Sequence, residues 1–195
     1  MHSSGLISVN RYSLIGIMIC CLLSWVVTVP VLADGIVVQQ ASSRLMNDHF
    51  VIDAEIDYEF TDVALEALEN GVPLTVDIHV QVRRDGAWIW EKDIIDFHKR
   101  RQLRYLPLSS TYEVIGFKGE EKRQFVSRLA AIEALGEIRN MSVVSLEQLE
   151  AGETYRMEIR SELDIESLPV PLRPTAYMSS AWSLSSDWSR WHIRP

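Results

Sequence analysis

Cysteine is almost missing from this chain. There are two in 195 residues, Cys20 and Cys21, side by side in the one long apolar run, Leu14 to Val29. Everything after that run is free of thiols. That excludes a disulfide framework, a cysteine nucleophile and a cysteine-based zinc site there. Catalytic signatures are missing as well: no G-x-S-x-G, no H-E-x-x-H and no phosphate-binding glycine loop. Positive charge is in deficit, with a formal net charge of −8. A general nucleic-acid binder needs a basic surface, so nucleic acid is excluded as a partner class. There is no internal repeat and no low-complexity tract.

What is there begins with an export pattern. Arg11 precedes the apolar run, and Val31-Leu32-Ala33 follows it with small residues at −3 and −1. This order predicts a secretory signal peptide over residues 1–33, cut after Ala33. A spanning helix needs about 20 apolar residues, whereas this run has 16 before Pro30. A lipoprotein would need a cysteine at the cut, and Cys20 and Cys21 lie inside the run instead. Retention of the segment would make the chain a membrane-tethered domain. Cleavage leaves 162 of the 195 residues, a single domain over 34–195 with no transmembrane span. Arg11 is the only charged side chain removed, so the formal net charge moves from −8 to −9.

Three stretches alternate strictly between apolar and polar residues, the mark of a strand with one buried face. They are Phe50–Phe60, Leu74–Val82 and Thr154–Asp164, in which Ser161 is the one break in the apolar face. Ile56, Val76, Ile78, Val80, Tyr155, Met157 and Ile159 are the expected core. Thr75, Asp77, His79 and Gln81 are expected to face water. Asn47-Asp48 and Arg84-Asp85-Gly86 read as turns. Thr61 and Ser127 read as caps of two short helices, ended by Gly71 and Gly136. In the second helix Leu129, Ile132 and Leu135 share an apolar face. About seven antiparallel strands with two short helices in their connections predict a mainly β fold, an antiparallel β-sandwich. One-face alternation excludes a doubly wound parallel sheet.

Asp53, Glu55, Asp57 and Glu59 put four carboxylates on one strand face, with Arg156 and Arg160 as expected cross-strand partners. His49, His79, His98 and His192 are scattered. Asp96 and His98 share a strand face, but two residues do not make a coordination shell, and no metal or cofactor is expected. The densest feature is His98-Lys99-Arg100-Arg101-Gln102-Leu103-Arg104. As a strand it puts His98, Arg100 and Arg104 on one face and Lys99 and Arg101 on the other. A central strand is not expected to bury two cations, so an edge strand or a projecting arm is predicted. His98, Lys99, Arg100, Arg101 and Arg104 are the candidate contact surface for an anionic partner. Trp88, Trp90, Trp182, Trp188 and Trp191 are a candidate aromatic patch, or a tail that folds back as a last strand and plugs the core. Leu168–Leu172, with Pro169 and Pro171, reads as a stiff extended connection.

The order AEIDYEF (54–60), ALENGVPLT (67–75), WIWEKD (88–93), LRYLPLSSTYEV (103–114), SRLAAIEALG (127–136), YRMEIRSELDIESLPVPL (155–172) and WSLSSDWSRW (182–191) resembles the proteobacterial DUF4390 family. The resemblance covers nearly all of 34–195. It implies an exported β-domain without an assigned activity and brings no catalytic residues with it. It also implies a gene setting beside a ribosomal-RNA methyltransferase and an envelope sensor kinase. The expectation is a periplasmic, non-enzymatic module that binds an envelope protein, lipid or cell-wall component. The alternatives are a hydrolase using carboxylates the sequence does not identify, or the tethered domain.

Overall fold

The computed structural model describes residues 35–86, 94–117 and 122–195. The expected signal segment, Trp88 and Trp90 lie outside them. The described residues belong to one compact unit, Asp34–Pro195. Alternation becomes strand wherever it is strict. In chain order the strands are β1 (Gly35–Met46), β2 (His49–Glu59), β3 (Leu74–Arg84), β4 (Ile95–Leu106), β5 (Thr111–Ile115), β6 (Arg123–Phe125), β7 (Glu137–Ser145), β8 (Tyr155–Leu163) and β9 (Ser189–Ile193). Nine strands are thus described where about seven were expected. They form two antiparallel sheets, β1-β2-β7 and β6-β5-β4-β3-β8-β9. Asn47 and Asp48 close the β1–β2 hairpin with φ of 48° and 60°, a region these two side chains tolerate.

The apolar faces of the two sheets enclose one core. Ile56, Val76, Ile78, Val80, Tyr155, Met157 and Ile159 are all buried in it. The break at Ser161 has a physical reason. Its Oγ donates to the Asp77 carbonyl at 3.1 Å and meets the Tyr58 hydroxyl of the opposite sheet at 2.9 Å. A hydroxyl pair crosses the core there, and both members are satisfied. Burial pushes the Tyr58 phenol well above its usual range, with Ser161 and Arg101 drawing it part of the way back.

Helix α1 (Asp62–Glu69) starts at Thr61, whose Oγ1 accepts from the Ala64 N–H at 3.2 Å and donates to the Ala181 carbonyl at 2.9 Å. Helix α2 (Arg128–Gly136) starts at Ser127, which accepts from the Ala130 N–H at 3.4 Å. The expected face of α2 needs correction. Leu135 is buried as expected and Ile132 packs against the core, but Leu129 is 66% exposed, and Ala131, Ala134 and Gly136 complete the buried face. Small residues let the helix end lie against the β2 backbone, where a Cβ on Gly136 would strike the Ile56 carbonyl.

The tail does fold back. Trp182 is buried, β9 pairs with β8, and the Trp191 indole N–H donates to Ser43 Oγ of β1 at 2.9 Å. Trp182, Trp188 and Trp191 therefore do not make one exposed aromatic patch. Residues 165–172 hold two short 3-10 turns, not an extended rod, and lead to a third short helix, α3 (Arg173–Tyr177). No helix among the described residues is long and apolar enough to cross a membrane.

Candidate functional site

Two expectations about the basic stretch are overturned. β4 is not an edge strand or an arm: it lies inside the six-stranded sheet, between β5 and β3. Nor is burial of a cation there forbidden. Arg101 is 4% exposed and donates to the carbonyls of Leu135 and Glu137 at 2.8 and 2.7 Å. These are the carbonyls that α2 releases at its C-terminus, so the charge is met by orphan acceptors and by the helix dipole. The guanidinium also lies 5.3 Å from the Phe117 ring centre. Lys99 sits half-buried on the same inner face, over Phe97 and Phe117 at 5.8 and 5.5 Å. Neither side chain belongs to the outer surface.

His98, Arg100 and Arg104 point the other way, onto the outer face of the six-stranded sheet. Register assembles that face in rows: Glu162–Asp77–Arg100, Arg160–His79–His98, and Arg190–Glu158–Gln81–Asp96. Thr75, Asp77 and His79 were expected in water, yet all three are buried. β3 is central, and the long side chains of β4 and β8 close over it.

The charges on this face are layered. Asp77, Glu113, Glu158 and Asp164 form a lower tier, each side chain 8% exposed or less. Arginines lie over them. Arg100 Nε meets Asp164 at 2.8 Å and Asp77 at 3.6 Å. Arg104 Nε donates to Glu113 at 2.6 Å. Glu158 takes Arg156 at 2.8 Å and Arg190 at 3.1 Å. The guanidiniums stay in solvent, Arg100 at 63%, Arg190 at 54% and Arg104 at 37% exposed. On this face of an acidic protein four of the anions are thus covered by arginines, while Glu162 and Asp96 stay 41% and 49% exposed beside them.

At its centre the His79 and His98 rings stack, with centroids 4.0 Å apart. His79 also meets the Trp188 ring at 4.9 Å, edge-on, and Arg160 lies over that indole at 4.9 Å. His79 Nε2 bonds Asp96 Oδ1 at 2.7 Å, and His98 Nδ1 bonds Asp77 Oδ2. The His79 bond holds the Asp96 carboxyl below its usual range against desolvation, with a smaller contribution from Gln81. Sequence reasoning paired Asp96 with His98 on one face but missed His79 and Asp77. The missing signal was the β3–β4 register, which sets His79 directly opposite His98.

The carboxylate row of β2 has other partners than expected. β2 lies between β1 and β7, so Arg156 and Arg160 of the other sheet cannot reach it. Asp53 pairs with Arg44, Glu55 with Arg139 at 2.9 Å, and Asp57 accepts from Gln39 at 2.8 Å. A cleft of about 460 Å³ opens beside this row. Its Glu55, Glu137, Arg123 and Arg139 are ion-paired with one another.

A family model described as a domain of unknown function, DUF4390, matches residues 33–192. The chain belongs to the DUF4390 family. No curated protein and no solved structure matches it. For this DUF4390 chain the site therefore rests on its own geometry, and the layered face of the six-stranded sheet is the arrangement with the most chemistry in it.

Proposed function

We propose that this DUF4390 chain is an exported, periplasmic binding module, not an enzyme, and that it takes an anionic envelope component on the outer face of its six-stranded sheet. The observation that carries this reading is the layering. Arg100, Arg104 and Arg190 are anchored from beneath by covered carboxylates and keep donors facing outward. Anchoring lowers the rotamer entropy lost on binding, and guanidinium suits phosphate and carboxylate through paired N–H donors. The partner class is a phosphate-bearing lipid, a cell-wall carboxylate or an acidic protein. Export rests on the apolar run and the Val31-Leu32-Ala33 flank.

The test is capture from envelope extract with Arg100→Gln/Arg104→Gln beside wild type, at low and high salt. Capture is expected to fall in the variant and to weaken with salt, since the screening length drops to about 3 Å at 1 M. Arg44→Gln/Arg139→Gln, on the other sheet, is expected to capture normally. Equal capture by both double variants, with both melting near wild type, would remove this face from consideration.

A further inference from the structure

We infer that His79, Asp96 and His98 form a binding site for one divalent transition-metal ion of the zinc class. The inference stands apart from the anionic-partner reading and does not depend on it.

Three observations carry it. The first is the donor set. One nitrogen from each histidine and one oxygen of Asp96 lie within 4.8 Å of one another. Two imidazoles and a carboxylate are borderline-hard ligands that suit zinc and its neighbours. The second is the arrangement behind the donors. A ligating histidine commonly gives its other ring nitrogen to a carboxylate, which fixes its orientation and raises its basicity. His98 Nδ1 is held in that way by Asp77, a carboxylate 7% exposed. Its Nε2 is left to bind. Arg100 does not take Asp77 away from this task, because its Nε sits at 2.8 Å from Asp164 and 3.6 Å from Asp77. The third is charge. Asp96 and Asp77 together balance a dication, and the two arginines set beside the site by register have other partners: Arg100 on Asp164, and Arg160 over Trp188 and near Glu162.

The site also has the play it needs. Ligand atoms around tetrahedral zinc, at about 2.0–2.2 Å from the ion, stand about 3.3 Å from each other. His79 Nε2 and Asp96 Oδ1 stand at 2.7 Å and need only open slightly. Any wider separation, at most 4.8 Å, closes by up to about 1.5 Å mainly through Asp96, whose side chain is 49% exposed, while Asp77 keeps its hold on His98. His79, held between His98 and Trp188, is the fixed member. Three protein donors leave the fourth position to water or to an exogenous ligand.

The experiment is calorimetric titration with zinc chloride on the full chain, in a Cys20→Ser/Cys21→Ser background that removes its only two thiols. One ion per chain is expected. Asp96→Asn and His98→Gln, both at half-exposed positions, should each weaken binding at least about 10-fold, a loss known even for outer partners of a metal site. His192→Gln should bind as the parent does. Zinc should raise the melting temperature of the parent and of His192→Gln but not of the two site variants, because only a ligand that binds the folded state stabilises it. No binding by the parent overturns the inference. So does undiminished binding in either site variant. If one of these variants melts early without metal, the other, together with the parent's melting shift, decides.

Discussion

Arg101 is a buried cation that meets two backbone carbonyls and an aromatic ring. Its removal leaves the Leu135 and Glu137 carbonyls without their donor. Arg101→Ala should therefore cost at least about 2 kcal/mol, because each buried acceptor left unmet costs about 1–3 kcal/mol. Arg128→Ala, which breaks an exposed pair with Glu69, should cost under about 1 kcal/mol. Chemical denaturation of the two variants checks the contrast, and equal losses would contradict the assignment of Arg101. Tyr58 makes a prediction in pH. The unfolded chain releases this proton near pH 10, whereas burial keeps it on in the fold. Above pH 10 the folded state binds the extra proton, so stability falls as pH rises, by up to about 1.4 kcal/mol per pH unit from this group. Below pH 10 the group contributes no slope. Tyr58→Phe keeps the ring stacked on Phe60 and should flatten the alkaline limb of stability against pH. An unchanged limb would show that other groups control it.

At the scale of the element, alternation carries most of what can be read. β2, β3 and β8 are legible because a period of two marks a face, and the caps at Thr61 and Ser127 are legible because their hydroxyls bond locally. Neighbours are not legible. Alternation says which side of a strand is wet, not which strand lies beside it, so the β2 carboxylates were matched to arginines of the wrong sheet. The burial of Arg101 was hidden for the same reason: its acceptors come from a helix end 34 and 36 residues away. The histidine pair was half visible, since each strand showed its own member and only the hairpin register unites them. On α2 only Leu129 departs from the expected face, because close approach selects alanine and glycine, which a hydrophobic period undervalues. Two variants test this level. Ile78→Ala, at the centre of β3, should cost about 2–5 kcal/mol. Gly136→Ala would stabilise by about 0.4–1 kcal/mol where alanine fits, but here it should cost about 1–3 kcal/mol, because backbone must move away from the new methyl. A stabilised Gly136→Ala would refute the contact between α2 and β2.

For the whole molecule, the proposed export makes a prediction of mass. The protein isolated from cells should begin at Asp34, read directly by mass spectrometry of the intact chain. An uncut N-terminus in the membrane fraction would favour the tethered form. The two sheets are unequal, three strands against six, and the larger is organised around β3. Seven consecutive residues of β3, Leu74–Val80, are buried, those of one face by the core and those of the other by the covering of the outer side. Its two edges are paired to β4 and β8 over nearly its full length. No local fluctuation can therefore bring solvent to these amides without dismantling both neighbours. In deuterated water they should be the last of the described residues to exchange, at a rate set by opening of the entire domain. Edge strands β1 and β6 should label long before them. A single slow set of peaks from Leu74–Val80 would thus report, without denaturant, the global stability against which every substitution above is measured.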